Sequence, residues 1–129
     1  MPIIERFEDI EAWKRAREVT KKIYQLSGIG EFSRDFGLRD QIRRSSVSVM
    51  SNVAEGFERD GNKEFINFLS IAKGSCGEAR SQLYIAMDQG FISAEDFEWT
   101  YDHLSQTGRM IGGFMNYLRQ SEFKGKKFT

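Results

Sequence analysis

The sequence of 129 residues contains few residues of several types, and each shortage excludes a class of protein. Its single cysteine, Cys76, cannot form an intramolecular disulfide, which argues against a disulfide-rich secreted scaffold. No run reaches the roughly 20 apolar residues that cross a bilayer, and residues 1–10 mix charges with apolar side chains rather than forming a signal-peptide core. The sequence therefore predicts a cytoplasmic protein with no membrane partner.

The formal net charge is zero, and the chain has only one histidine. The 19 Lys and Arg residues balance the 19 Asp and Glu residues, so the chain lacks the overall positive field of general nucleic-acid-binding proteins. A di-metal carboxylate bundle needs Glu-x-x-His on two helices, and His103 is the only histidine. Cys76 falls in an apolar stripe, where a thiol packs as a small hydrophobe. We expect no metal, no cofactor and no catalytic residue.

Proline occurs only at Pro2, so nothing later in the chain forces a helix to break. Helical periodicity and turn residues predict four helices and no strand of useful length. Asn62 and Ser93 are the predicted N-caps of the last two. The predicted ranges are 8–27, 37–55, 62–89 and 94–119.

Each predicted helix has an apolar stripe. In the third and fourth helices the spacing alternates between 4 and 3 residues, which is typical of helices that pack nearly parallel to their neighbours. The second helix has two stripes, which predicts two packing partners. The stripes are Ile10, Trp13, Arg17, Thr20 and Tyr24, with Ala16 and Ile23 beside them; Leu38, Ile42, Val49 and Val53, and separately Val47, Met50 and Ala54; Phe65, Leu69, Ala72, Cys76, Ala79, Leu83 and Ala86; and Phe97, Tyr101, Leu104, Gly108, Ile111, Met115 and Leu118.

These patterns predict an all-α fold, an antiparallel up-down-up-down four-helix bundle over residues 1–119, followed by a basic C-terminal tail over residues 120–129. This topology puts the N-termini of the second and fourth helices at the same end. Basic residues of the second helix would there meet acidic residues of the fourth, which we expect to neutralise them. The two sets are Arg39, Arg43 and Arg44, and Glu95, Asp96 and Glu98.

A polar stripe lies between the two apolar stripes of the second helix, and the third helix has a matching set. The stripe forms either a solvated face or a hydrogen-bonded network between the two helices. A small-molecule site near Glu55, Glu78 and Gln82 is a further reading, without motif support. The predicted network comprises Gln41, Ser48, Asn52 and Glu55 with Ser75, Glu78 and Gln82.

Glycines interrupt both long C-terminal helices, at a cost of about 1 kcal/mol each relative to alanine. They indicate either close contact between helices or a flat surface for another chain. These glycines are Gly74, Gly77, Gly108, Gly112 and Gly113.

The segment Gln41–Gly56 (QIRRSSVSVMSNVAEG), followed by Lys63-Glu64-Phe65 and Gly74-Ser75, resembles the signature of the 23S rRNA-intervening-sequence proteins, also called four-helix bundle proteins. The likeness runs from Phe7-Glu8-Asp9-Ile10 into the fourth helix. This chain departs from the pattern at Met50, where members commonly have proline. It departs again at residues 77–80, Gly-Glu-Ala-Arg, where a run like Ala-Glu-Leu-Glu is usual.

The resemblance implies a homo-oligomer, since relatives form five-fold rings, and thus a homopentamer. The chain is also similar to the accessory variability determinant of diversity-generating retroelements, a basic pentamer that binds reverse transcriptase and nucleic acid. We therefore expect a bacterial, non-enzymatic assembly or ribonucleoprotein adaptor, or else a scaffold that binds a protein partner and no nucleic acid. For RNA, the expected phosphate contacts are Arg39, Arg43, Arg44, Lys124, Lys126 and Lys127.

Overall fold

A computed structural model describes residues 4–121. Within this range the chain forms four α-helices and no strand, so the predicted all-α class is confirmed. The helices are α1 (Glu11–Ser27), α2 (Phe36–Glu58), α3 (Asn62–Asp88) and α4 (Ala94–Gln120). Short 3₁₀ helices, Phe7–Asp9 and Gly30–Arg34, precede α1 and α2. The predicted domain boundary at residue 119 stays a prediction, and residues 122–129 of the tail lie outside the described part.

Contacts between consecutive helices establish the antiparallel order. Along α1 and α2, Thr20 meets Ser46 whereas Ser27 meets Arg43. Along α3 and α4, Asn62 at the start of α3 bonds the end of α4 at Leu118. The first and last helices are also in contact, because Lys22 near the end of α1 pairs with Asp96 near the start of α4. Along α2 and α3, Ser45 meets Gln82 whereas Ser48 meets Ser75. The helices therefore run up-down-up-down around a common core.

The two long stripes form the centre of this core. All seven stripe positions of α3 are buried, and those of α4 are buried from Leu104 onward, whereas Phe97 and Tyr101 are half-buried. At one end of the bundle, Phe32 from the connector between α1 and α2 is buried and stacks on Phe91 with ring centroids 5.5 Å apart. This connector, which composition marks as a loop, thus closes one end of the core.

The predicted stripe of α1 was wrong by part of a turn. Trp13 is half-buried, and Arg17 and Tyr24 are exposed. The buried positions instead follow Ala12, Ala16, Val19, Ile23 and Leu26. α1 also begins at Glu11 and not at Glu8, because the Asp9 carboxylate accepts the backbone N–H groups of Glu5 and Arg6 and holds a 3₁₀ turn before it.

The two predicted N-caps had different outcomes. Ser93 caps α4 by accepting the backbone N–H of Asp96 at 3.0 Å, as predicted. The cap of α3 is Gly61, whose φ of +87° suits glycine. Asn62 is the first residue of α3, and its amide donates to the carbonyl of Leu118 (3.0 Å) and to the hydroxyl of Ser121 (2.9 Å). Asn62 therefore ties α3 to the end of α4.

Candidate nucleic-acid interface

Two of the three predicted phosphate-binding arginines are held by their own chain. Arg39 donates to the carbonyl of Ser33 (3.1 Å) and to the carboxylate of Asp40 (3.0 Å). Arg43 donates to the hydroxyl of Ser27 at 2.8 Å, and its guanidinium lies 4.4 Å from the centre of the Tyr24 ring. Both side chains thus stabilise the junction of α1 and α2, which leaves fewer of their donors for an outside ligand.

The expected neutralisation by the start of α4 was wrong for Asp96, which pairs with Lys22 on α1 at 2.9 Å. Glu95 and Glu98 are exposed and form no ion pair within residues 4–121. Arg44 is exposed on α2. The tail residues Lys124, Lys126 and Lys127 lie outside the described part of the chain.

Short polar side chains of α2 and α3 form a chain of hydrogen bonds between these helices. The Ser45 hydroxyl donates to Gln82 Oε1 at 2.9 Å, and Gln82 Nε2 reaches Gln41 Oε1 at 3.4 Å. The hydroxyls of Ser48 and Ser75 share a bond of 2.9 Å, and the Asn52 amide donates to Ser48 Oγ at 3.0 Å. Because Gln82 is only 7% exposed, these bonds satisfy polar groups that water barely reaches.

Two predicted network residues stand apart from this chain of bonds. Glu55 accepts a hydrogen bond at 2.8 Å from Arg59, the residue that directly follows α2. Glu78 is exposed and makes no hydrogen bond within the described residues. Both carboxylates lie on the solvent side of the helices, where water satisfies them. Ser45, which the sequence analysis missed, takes a central place in the network.

On the opposite flank of α3, a groove of about 570 Å³ separates it from α4. Three cations line it, Lys73 and Arg80 from α3 and Arg109 from α4. The hydroxyl-bearing residues Ser70, Tyr101 and Ser105 and the glycines Gly74 and Gly108 complete the lining. None of these eight residues is acidic. Positive charge is therefore concentrated locally in a chain that is neutral overall.

Helical spacing places the groove residues on facing stripes. Lys73, Gly77 and Arg80 follow one another at intervals of 4 and 3 residues along α3, so they share a face. A Cβ added at Gly108 would lie 3.8 Å from the Arg80 guanidinium, and one at Gly112 would lie 3.4 Å from the Lys73 side chain. These glycines therefore leave room for the long cationic side chains beside α4.

An aromatic cluster lies beside the Arg80 end of the groove. Tyr84 lies one turn beyond Arg80, with its ring centroid 5.0 Å from that of Phe97 and 5.7 Å from that of Tyr101. The Arg80 guanidinium is 5.7 Å from the centre of the Tyr101 ring. The interaction with the Tyr101 hydroxyl raises the pKa of Tyr84 above its ordinary value.

The groove has the chemistry of an anion-binding surface. Guanidinium, ammonium and hydroxyl groups donate hydrogen bonds to phosphate oxygens.

Burial raises the pKa of the Cys76 thiol to about 11, so the thiol is protonated at neutral pH. His103 stacks on Trp99 with ring centroids 3.7 Å apart, and its Nδ1 lies 2.8 Å from the Trp99 carbonyl oxygen. Within residues 4–121 no three potential metal ligands come together.

No sequence pattern predicted Lys73, Arg80 or Arg109 as binding residues. Their signal was indirect, because each lies within three residues of a helix-interrupting glycine. The net charge of the chain does not reveal these three cations, since acidic residues elsewhere cancel their contribution. Only the pairing of α3 with α4 brings the three cations to one groove.

A family model for the 23S rRNA-intervening sequence protein matches residues 8–113, which is most of the chain. The chain belongs to this family. The fold described above is similar to that of a crystal structure from Bacteroides thetaiotaomicron VPI-5482, a protein of unknown function from the S23 ribosomal protein family. That structure has a TM-score of 0.73 and 20% sequence identity, and the alignment covers 81% of this chain and 97% of that chain. At this identity the likeness shows the fold alone. No functionally curated protein matches the chain.

The groove of this family member includes a position at which its sequence departs from the family resemblance. Arg80 ends the Gly-Glu-Ala-Arg run and lines the groove, and Gly77 lies beside its guanidinium. Met50 lies within α2, which is continuous from Phe36 to Glu58. None of the helices within residues 4–121 is long and apolar enough to span a membrane.

Proposed function

We propose that this family member is a cytoplasmic, non-enzymatic ribonucleoprotein adaptor that binds RNA phosphates in the groove between α3 and α4. One observation carries the proposal: Lys73, Arg80 and Arg109 line a groove that has no acidic lining residue. Cations in a cleft with protein walls create a stronger local field than the same cations spread over a surface. A neutral chain can therefore attract a polyanion at this one place.

The family relationship supports RNA as the source of the phosphates, because the matching model is named after an intervening sequence of 23S rRNA. Phosphate contacts supply most of the affinity of proteins that bind nucleic acid without reading sequence. In this proposal Arg44 and the tail residues Lys124, Lys126 and Lys127 add contacts outside the groove. Arg39 and Arg43 contribute less, since their guanidinium groups already bond to Ser33 and Ser27.

The test is the salt dependence of RNA binding. Log K should fall linearly with log salt, and the three groove cations should contribute about −2 to the slope on a single strand. Fluorescence anisotropy with a labelled RNA oligonucleotide, between about 20 and 300 mM salt, measures this slope. The variant Lys73→Gln, Arg80→Gln, Arg109→Gln should bind more weakly than the wild type, and its slope should be shallower by about 2.

A matched variant controls for net charge. Arg17→Gln, Lys21→Gln and Arg34→Gln remove the same number and types of cation from exposed positions away from the groove. This variant should retain most of the wild-type slope. Absence of salt-dependent binding by the wild type, or an equal loss in both triple variants, would contradict the proposal.

A second candidate function is a homo-oligomeric scaffold that binds protein. Val47, Ile71 and Ile85 are exposed aliphatic side chains on α2 and α3. Apolar surface of this kind is typical of contacts between chains. We propose a homopentamer, and light scattering on the purified protein tests it by giving the mass before and after nuclease treatment. A monomer mass would exclude the assembly, and a mass unchanged by nuclease would favour protein contacts over RNA.

A further inference from the structure

The aromatic cluster at the Arg80 end of the groove indicates which form of RNA the groove takes. Tyr84 is 51% exposed although two rings contact it. Phe97 and Tyr101 stack on each other with ring centroids 5.4 Å apart and an interplanar angle of 26°. Tyr84 packs against this pair at angles of 58° and 74°. The Tyr84 side chain therefore packs against two rings while about half of its surface stays exposed to solvent.

This arrangement holds the Tyr84 ring in place before any ligand binds. The neighbouring rings of Phe97 and Tyr101, with centroids 5.0 Å and 5.7 Å away, restrict the plane of the Tyr84 ring. A ring that is already ordered loses little conformational entropy when a flat ligand stacks on it. Tyr84 thus has the properties of a stacking platform and not of a loosely exposed core residue.

The platform adjoins the cations of the groove. Tyr84 follows Arg80 by four residues, so the two side chains are neighbours about one helical turn apart on α3. A phosphate at Arg80 and the base of the same or the next nucleotide at Tyr84 can therefore be held together. A basic groove combined with an aromatic face is the arrangement by which proteins bind single-stranded nucleic acid.

We propose that the groove binds single-stranded RNA and that one unpaired base stacks on the ring of Tyr84. This inference rests on the proposed function and narrows its ligand. A paired base in a duplex is covered by its neighbours, and the deep, narrow major groove of A-form RNA does not admit side chains to it. Duplex RNA can meet only the cations, whereas a single strand uses the cations and the ring.

The experiment compares Tyr84→Ala with the wild type on two labelled RNAs, a ten-nucleotide oligouridine and a blunt duplex of equal length, by fluorescence anisotropy at low salt. Stacking on one base is lost in this variant, so the affinity for oligouridine should fall by about 5- to 150-fold. The affinity for the duplex should not change. Trp99→Ala is the control, since Trp99 is a 39% exposed aromatic residue that lies beside Lys22 of α1 and does not line the groove.

Two further variants keep the test independent of folding. Tyr84→Leu preserves bulk without an aromatic face and should weaken oligouridine binding as Tyr84→Ala does. Tyr84→Trp restores a larger aromatic face and should bind at least as tightly as the wild type. Circular dichroism melting compares the fold of each variant with that of the wild type.

The outcomes separate this inference from the proposed function. Unchanged oligouridine binding by Tyr84→Ala and Tyr84→Leu, with salt-dependent binding retained, would overturn the stacking platform and leave the phosphate groove intact. A wild type that prefers the duplex would also overturn it. Absence of binding to both RNAs would instead remove the proposed function itself.

Discussion

The two flanks of α3 differ in how their polar side chains are satisfied. On the flank that faces α2, Gln82 and Ser75 meet Ser45 and Ser48 at 2.9 Å, and the polar groups bond to one another. On the flank that faces α4, Lys73 and Arg80 line an open groove together with Arg109. One flank is closed by short polar side chains, and the other is left open by long cationic ones.

The difference teaches that polarity at helical spacing does not by itself predict a binding site. Serine and glutamine can donate and accept, so two such stripes satisfy each other when helices pack closely. Lysine and arginine only donate, so facing cations need an acceptor from outside the pair. The closed flank therefore stabilises the fold, and the open flank is where we propose that an anion binds.

The largest expected effect comes from adding one methyl group to the closed flank. A Cβ at Gly56 would lie 2.8 Å from both Phe65 Cδ1 and Phe68 Cβ, closer than real side chains approach. Gly56→Ala should therefore lower the free energy of unfolding by up to about 3 kcal/mol. Chemical denaturation measures this loss. A variant as stable as the wild type would show that α2 and α3 are not in close contact there.

The core between the flanks should make stability depend on pH. Burial raises the pKa of Cys76 from an ordinary value of 9.0 to about 11, and the positive charge of Arg80 opposes part of this shift. Because the folded chain holds the thiol proton more tightly, the free energy of unfolding is unaffected below pH 9 and falls between about pH 9 and 11. The loss is about 2–3 kcal/mol.

Denaturation at pH 8 and pH 11 tests this prediction, with Cys76→Ala as the control that lacks the thiol. Tyrosines also titrate in this range, but they are common to both proteins and cancel in the comparison. Equal pH dependence in the two proteins would contradict the buried-thiol account. Arg80→Gln should raise the pKa of the thiol further, because the charge that opposes the shift is removed.

Removing one hydrogen-bonding side chain from the closed flank should have a smaller effect. Gln82→Met preserves shape but removes the acceptor of Ser45 and the donor to Gln41. We expect a loss of about 1 kcal/mol in the free energy of unfolding, since the Ser45 hydroxyl keeps the Gln41 carbonyl as a partner. RNA affinity should be unchanged. A fall in affinity would mean that the two flanks are coupled.

The smallest expected effect is on the open flank and has the opposite sign. A Cβ at Gly74 meets nothing within 4 Å. Gly74→Ala should therefore raise the melting temperature, with a gain of at most about 1 kcal/mol from helix propensity. Thermal melting beside Gly56→Ala gives a direct contrast between the flanks. A destabilised Gly74→Ala variant would indicate that another chain covers this position.

Much of the fold was predictable because helical periodicity is a local property. The buried stripe of α3 was predicted residue by residue, from Phe65 to Ala86, and Ser93 was predicted as a cap. The stripe of α1 was misplaced because Trp13 and Tyr24 count as apolar by type. The Tyr24 ring instead lies beside Arg43 at the surface, and the half-buried Trp13 has Arg17 beside its ring. Amphipathic side chains of this kind do not reveal from sequence which part they bury.

The candidate site was less predictable than the fold. The polar stripes of α2 and α3 were recognised from the sequence. Whether they form a solvated face or a hydrogen-bonded network was decided only by the distances between their side chains. Arg39 and Arg43 were predicted as phosphate contacts because nothing in their neighbourhood along the chain shows that Ser33 and Ser27 would bind them. The groove cations were not predicted at all, because they come from two helices.

The sequence by itself determined four helices, their apolar faces and the family of this protein, since these depend on residue types at fixed spacing along one chain. Tertiary structure decided which polar groups satisfy one another and which remain available. That outcome depends on distances of about 3 Å between residues far apart in sequence, such as Ser45 and Gln82, and on a groove lining without an acidic residue beside Lys73, Arg80 and Arg109. The packing of the helices determines both these distances and the set of residues that line the groove.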